Sequence, residues 1–342
     1  MEKVKIGIIG MGRMGLTHYP IINTHPNVEI VSVADTSSLI LDMMKKYIPG
    51  LKTYTDFKDL LNARDVDGVI ICTPSSLHYD ACKLAGENGI SVFCEKPFTT
   101  NPEKANELAD LFEKKGLVNQ VGYVNRYNPV FRNIKRYIEE GLIGKLVQVK
   151  GEFYSCTIIK PQTSKGWRST RENGGGCTYE MGAHILDLLN YLLGKPEKVF
   201  GSVLNSMFSE SVEDIMSTNV LFKNKVTCSV LVNWSDVTYR KPMMKLEFFG
   251  DKGKIMADFY GMKIFLNEAS EKYHLIEGWN TIPKNTIEDH VPFYVRGNGY
   301  THQLYDFADE ILGKKGDCVC TFRDAAETQE VIHQIFNNSN AL

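Results

Sequence analysis

The first third of the chain alternates short apolar runs with amphipathic stretches. The runs are Val4–Ile9, Val28–Ala34, Gly68–Cys72, Ser91–Cys94 and Val118–Val121, with a short strand at Lys52–Tyr54. Amphipathic segments at Leu39–Tyr47, Asp56–Ala63 and Pro102–Lys115, and a helix opened by Thr73-Pro74-Ser75-Ser76 and running to Glu87, lie between them. Near-continuous apolar strands alternating with helices predict a doubly wound parallel sheet covered on both faces. Near residue 125 the rhythm changes. A basic helix, Pro129–Glu140, stops at Gly141, and longer alternating stretches follow at Lys145–Tyr154, Val199–Leu204, Asn219–Phe222, Lys225–Trp234, Lys245–Phe249, Gly253–Asp258 and Met262–Leu266. Period-two patterns of this kind predict an antiparallel or mixed sheet with one buried face. Helices are expected at Tyr179–Leu193, His302–Leu312 and Phe322–Asn337. The reading is α/β in two domains, 1–124 and 125–342.

The first strand breaks into Gly10-Met11-Gly12-Arg13-Met14-Gly15. At the first βα turn of such a sheet, this spacing points to a dinucleotide. Gly10 permits the turn, Gly12 removes a side chain from the pyrophosphate's path, and Gly15 lets the helix pack closely. The free N–H groups at the helix start favour an anion. Asp35 ends the second strand, ~20 residues past the last glycine, where a carboxylate holds the adenosine ribose hydroxyls. Alternatively, Asp35 caps the following helix. Thr36-Ser37-Ser38 follow, with no arginine to meet a 2′-phosphate, so NAD is favoured; Arg13 in the loop keeps NADP as the alternative.

The 342 residues carry a formal net charge of −2, which gives no sign of a nucleic-acid partner. No apolar stretch reaches ~18 residues, so no membrane span is expected. The N-terminus passes straight into a strand without a leader, and a cytoplasmic location is expected. Eight scattered cysteines, among them Cys72, Cys94, Cys156 and Cys228, read as reduced core residues. Cys318-Val319-Cys320 has no second cluster to complete a zinc site, and no metal is expected.

Two segments carry candidate chemistry. Ligands of parallel sheets bind beyond the strands' carboxyl ends, where the glycine loop, Asp35, Thr73-Pro74 and Glu95-Lys96-Pro97 fall. Lys96 follows a strand directly, and a cis bond at Pro97 would turn its amine toward a cleft to polarise or deprotonate a substrate oxygen. The other reading is a surface lysine in a loop. The second segment runs from Gly174-Gly175-Gly176 through Tyr179, Glu180 and His184 to Asp187. The glycines allow close approach of backbone or ligand. On a helix Glu180 and His184 share a face, with Asp187 near it, and a carboxylate beside a histidine favours its charged form. That arrangement suits proton transfer; the alternatives are a satisfied helix-face pair or two ligands of a zinc ion that lacks a third. Hydride transfer from a carbinol needs such a base beside the cofactor, completed in a cleft between the domains.

These residues together resemble the glucose–fructose oxidoreductase, inositol dehydrogenase and rhizopine-catabolism (Gfo/Idh/MocA) family. The likeness runs over nearly the whole chain. It includes the glycine loop with His18 after it, Thr73-Pro74-Ser75-Ser76-Leu77-His78, Glu95-Lys96-Pro97 and Gly122-Tyr123-Val124-Asn125-Arg126-Tyr127-Asn128-Pro129. It extends to Trp167-Arg168 and Gly182-Ala183-His184-Ile185-Leu186-Asp187. The resemblance implies a dinucleotide-binding domain followed by a substrate-binding and oligomerisation domain, whose open sheet pairs in homodimers or homotetramers. It implies oxidation or reduction of a sugar, cyclitol or nucleotide sugar. Lys96 takes the place of the family's lysine and His184 that of its proton-transfer histidine. His78, Glu95 and Asn125 join the dinucleotide candidates; Tyr123, Trp167, Arg168 and Glu180 join Lys96 and His184 as substrate candidates, with Tyr179, Tyr300 and His302 as further pocket residues. One departure stands out: Glu180 replaces the family's usual aspartate. Either the substrate sits differently or Glu180 orients His184. Two other functions use the same residues, a glycosidase with tightly held NAD and a non-catalytic dinucleotide sensor.

Overall fold

The computed structural model describes residues 3–161, 166–314 and 320–341. They divide into two units, Met1–Tyr127 with His290–Ala326, and Asn128–Asp289 with Glu327–Leu342. The boundary read at 124/125 lies beside the crossing at Tyr127. The segment 290–326, which the sequence reading placed in the second domain, belongs instead to the first. Periodicity shows that a late helix exists but not which core it covers.

The first unit begins β1 (Val4–Ile9), α1 (Arg13–Asn23), β2 (Val28–Ala34), α2 (Ser38–Tyr47), β3 (Lys52–Tyr54), α3 (Phe57–Ala63), β4 (Gly68–Ile71), α4 (His78–Glu87), β5 (Ser91–Cys94), α5 (Pro102–Lys115) and β6 (Asn119–Val121). Among the described residues these strands form one six-stranded sheet in the order β3-β2-β1-β4-β5-β6, every pair parallel. This is the order of dinucleotide-binding sheets, and its winding reverses between β1 and β4. β4 and β5 are buried at every position, as a strand between two helical layers must be. Local signals start and stop the helices. In α5, Asn101 Oδ1 accepts the Lys104 N–H at 2.8 Å, Pro102 fills the first turn, and Gly116 closes the end at φ +62°.

The second unit holds α6 (Pro129–Glu139), β7 (Leu146–Tyr154), α7 (Ala183–Leu193), β8 (Lys198–Asn205), β9 (Ile215–Leu221), β10 (Thr227–Asn233), β11 (Met243–Gly250), β12 (Gly253–Asp258), β13 (Gly261–Leu266) and β14 (Gly278–Pro283). The chain then returns to the first unit through α8 (Asn298–Ile311), and α9 (Phe322–Asn337) leads to β15 (Ser339–Ala341) in the second. Nine described strands form a mixed sheet, β14-β13-β12-β11-β7-β10-β9-β8-β15, with β7–β10 and β8–β15 parallel. The register lines up Ile264, Ile255, Phe248, Val149, Cys228, Val220 and Val199 across seven strands, all at most 2 % exposed. Helices α6 and α7 pack on the sheet, and Gly151 lets α7 come close: a Cβ there would meet Ile185 Cδ1 at 3.0 Å. On the opposite face Trp279, Phe265, Lys254, Phe249 and Gln148 stand side by side, with Trp279 and Phe249 half-exposed.

In the first unit α8 completes the core. Leu304, Phe307 and Ala308 pack with Ile6, Ile8, Ile30, Val33, Ile70 and Phe93.

Candidate active site

The glycine loop follows β1 at the reversal of the sheet. Each glycine has the environment its expected task requires. Gly10 has φ +90°, and a Cβ there would lie 2.8 Å from the Cys72 carbonyl carbon. A Cβ on Gly15 would lie 2.0 Å from the Gly10 carbonyl oxygen, so only glycine lets α1 start here. Gly12 differs from both: a Cβ would meet nothing within 4 Å. Glycine at this position keeps open a space that the protein itself does not fill, in front of the helix start where an anion is favoured. Asp35 stands beside it. Its Oδ2 accepts the Met11 N–H at 2.6 Å and its Oδ1 the Ser37 N–H at 2.8 Å. The carboxylate therefore steadies the loop and caps the next turn at once, and still has lone pairs for two ribose hydroxyls. These features fit a dinucleotide. Arg13 is exposed at the first residue of α1, and Met14 is half-buried behind it.

The remaining candidates of this unit follow the ends of β4, β5 and β6. Thr73 Oγ1 is buried and has no hydrogen-bond partner among the described residues; Pro74 is exposed beside it. The Lys96–Pro97 bond is cis, as the turn led one to expect, and Lys96 is half-buried. Glu95 is buried, its Oε1 receiving the Nε2–H of His18 at 2.6 Å. His78 is 1 % exposed, with Nδ1 3.0 Å from the Pro97 carbonyl oxygen and Nε2 2.9 Å from that of Thr73. Burial pushes its pKa down despite the two carbonyls, so the neutral ring donates to one of them. Its side chain ties two turns together rather than reaching outward for a cofactor. Asn125 is half-buried in the short helical turn Val124–Tyr127, and the Tyr123 ring is 1 % exposed. Tyr300 lies on α8 with its ring centroid 6.0 Å from that of His18, and burial raises its pKa. His302 is half-buried on the same helix.

The second unit supplies the other candidates. Trp167 starts the 3₁₀ turn Trp167–Ser169; its side chain, like Cys318, lies outside the described residues. Residues Thr178–Gly182 form a π turn running into α7. The sequence pattern predicts an α-helix here, in which residues four apart share a face. A π turn closes its hydrogen bonds over five residues, which loosens that rule. Glu180 meets Arg168, with Nη2 donating to Oε1 at 3.2 Å. The half-buried His184 has the Phe153 ring edge-on, centroids 6.5 Å apart.

Three expectations need correction here. Asp187 is 0 % exposed and accepts the Thr328 hydroxyl at 3.3 Å, which gives it a place in the core. Tyr179 is buried against α9, its hydroxyl accepting from Gln329 at 3.4 Å and its ring tilted on Phe336, and burial pushes its pKa up to about 12. It does not line a pocket. Gly175 and Gly176 make room for protein, not ligand: a Cβ would lie 2.4 Å from the Arg168 carbonyl oxygen and 2.4 Å from Glu213 Oε1, respectively.

Glu213 was missed by the sequence reading. It is 2 % exposed, accepts the Thr178 N–H at 3.0 Å and pairs with Arg171 at 3.3 Å, so it fixes the start of the π turn. Its neighbour Asp214 is fully buried and accepts from the N–H groups of Met207, Phe208 and Ser209 and from the Trp234 indole. Burial works against its charge, but these donors and the Ser209 hydroxyl outweigh it and hold its pKa below the usual aspartate range. Two adjacent acids just before an alternating strand were the available signal. The seven described cysteines are free thiols. Among the described residues no group of three or more His, Cys, Asp or Glu converges, and no helix is long and apolar enough to cross a membrane.

Comparison with known proteins agrees with this fold. Residues 4–123 match a family model described as an oxidoreductase family with an NAD-binding Rossmann fold, and residues 131–256 match the GFO/IDH/MocA C-terminal domain. The chain is 32 % identical to the rhizopine catabolism protein MocA of Rhizobium meliloti over 195 residues, 57 % of this chain and 59 % of that protein. It is 29 % identical to the scyllo-inositol 2-dehydrogenase (NAD(+)) of Bacillus subtilis over 218 residues, 63 % of this chain and 62 % of the relative. These matches span about three-fifths of each relative's length. Among solved structures, a levoglucosan dehydrogenase in complex with NADH and levoglucosan has a TM-score of 0.87 at 20 % identity, covering 98 % of this chain and 97 % of that one. At that identity the likeness is one of fold. With two family models matched in order along the chain, it belongs to the Gfo/Idh/MocA family of oxidoreductases and carries its NAD-binding Rossmann domain.

Proposed function

We propose that the protein is an NAD-dependent dehydrogenase or reductase acting on a carbinol of a sugar or cyclitol. The observation that carries this reading is the open space at Gly12, set between two glycines that the fold itself requires and beside the Asp35 carboxylate. The lysine turn follows a strand of the same sheet. Bound NAD supplies the hydride acceptor or donor. Asp35 holds the ribose, and its charge disfavours the 2′-phosphate of NADP. Lys96 polarises the substrate oxygen, and His184 takes or returns the hydroxyl proton. Arg168 and Glu180, already paired with each other, offer both donors and acceptors to further hydroxyls. The rhizopine, inositol and levoglucosan relatives support a hydroxyl-rich ring as the substrate class. For assembly, the row Trp279, Phe265 and Phe249 on the open sheet face supports pairing of two copies through that face.

The test is a screen of sugars, cyclitols and nucleotide sugars read by NADH absorbance, followed by Lys96→Ala and His184→Ala on the best substrate. Each variant is expected to lose at least ~10²-fold in kcat with NAD affinity nearly unchanged. Wild-type turnover in either one removes that residue from the chemistry. Release of a nitrophenol from a glycoside without net NADH would move the reading to the glycosidase.

A further inference from the structure

The turn that carries Lys96 is held from within by a buried, hydrogen-bonded couple. His18 sits on α1, on the helix that starts at the glycine loop, and is 0 % exposed. Its Nε2 lies 2.6 Å from Glu95 Oε1, and the other oxygen of that carboxylate accepts the backbone N–H of Lys96 at 3.2 Å. The carboxylate lies against Gly122, where a Cβ would be 3.1 Å from Oε1, so the chain after β6 leaves it room. The His18 ring is held between Phe93, centroids 5.5 Å apart and edge-on, and Tyr300. On the far side of Lys96, the His78 ring meets the Pro97 carbonyl.

A histidine and a carboxylate buried together are a costly way to fill a core, and apolar residues of the same volume serve stability as well or better. What the pair provides is geometry. A carboxylate with one oxygen fixed by His18 presents the other to the Lys96 backbone in a single orientation. We propose that His18 is a positioning residue: acting through Glu95 it fixes the backbone of Lys96, and so couples the lysine's reach to the helix that begins at the dinucleotide loop. This rests on the role proposed for Lys96, and the experiment separates the two.

The experiment compares His18→Gln, His18→Asn and Lys96→Ala, singly and with the histidine and lysine changes combined, in the full chain. Glutamine places an amide nitrogen close to the position of Nε2, whereas asparagine falls short. Asparagine is expected to lower kcat ~10-fold or more with NAD affinity within ~2-fold of wild type, and glutamine to stay within ~3-fold. In the Lys96→Ala background the asparagine penalty is expected to shrink below ~2-fold, because the group it positions is gone. Equal effects of Gln and Asn, or an asparagine penalty undiminished without the lysine, would show His18 to be core filling and overturn the proposal. Full turnover by Lys96→Ala alone would instead sink the role of the lysine. If His18→Asn does not fold, Glu95→Gln replaces it. It has the same volume without the charge, and the same shrinkage in the Lys96→Ala background is expected. A penalty that persists there overturns the proposal equally.

Discussion

Gly12→Ala separates the dinucleotide site from the fold more cleanly than any other single change. Gly12 has φ −71° and ψ −159°, an extended backbone any residue adopts, and its Cβ direction is empty to 4 Å. The methyl group should therefore leave the free protein intact, or stabilise it by about 0.4–1 kcal/mol by restricting the unfolded chain. A bound pyrophosphate would lose that space. Displacing it enough to break one charge-assisted hydrogen bond costs about 1.5–3 kcal/mol, a 10- to 150-fold loss of affinity. With NAD at ~100 times the wild-type Kd, ligand stabilisation is about 2.7 kcal/mol, and a fifty-fold loss reduces it to about 0.6. At about 2 °C per kcal/mol, the ligand-induced rise in Tm should collapse from ~5 °C to ~1 °C. Differential scanning fluorimetry with and without NAD reads both quantities, and calorimetry gives the Kd. Gly15→Ala is the contrast, because its methyl would drive into the Gly10 carbonyl and lower Tm without any ligand. If Gly12→Ala bound NAD as wild type does, the pyrophosphate would not pass there. If it lost several degrees alone, the space would not be empty.

Asp35→Ala is expected to weaken NAD and narrow its advantage over NADP, read from kcat/KM with each cofactor; an unchanged preference would leave Asp35 as a loop brace and cap only. Asp214→Asn removes a charge that five donors converge on, and should cost about 2–4 kcal/mol at pH 7 by urea unfolding. Because the folded pKa of Asp214 is depressed, its contribution is complete above the unfolded value near 4 and is lost as pH falls through the folded one. The wild-type stability advantage over Asp214→Asn should thus shrink below about pH 4, and a constant difference would contradict the assignment. Phe249→Glu with Trp279→Glu on the open sheet face should lower the mass seen by light scattering if that face joins copies; an unchanged mass in a multimeric wild type would place the interface elsewhere.

The first unit was legible because its signals are local. A glycine spacing, an acid ending a strand, and fully apolar strands each name their own environment, and the loop obeys them atom by atom. The second unit was legible only as rhythm. Lys225–Trp234 and Lys245–Phe249 announce half-buried strands, but nothing in them says that β10 lies parallel beside β7 while β11 flanks its other edge. β14, which alternates half-buried and exposed residues, and the three-residue β15 carry too little apolar pattern to be seen. The π turn was invisible because one extra residue in a helical turn leaves composition unchanged. Asp187 misled in the same way: spacing says which residues share a face, not which neighbour reaches them first, and Thr328 does. The His18–Glu95 couple had a faint signature, a polar residue on the buried side of α1 and another directly after the fully buried β5.

The return of residues 290–326 to the first unit bears on biosynthesis. The ribosome emits β1 some 300 residues before Phe307 and Ile311, which close over Gly68 between β1 and β5. A nucleotide-binding unit whose strands emerge early thus stays unfinished until residues 290–326 have been made, with apolar strands uncovered meanwhile. A nascent chain arrested after residue 289 should remain protease-sensitive in that half, and extension past residue 326 should protect it.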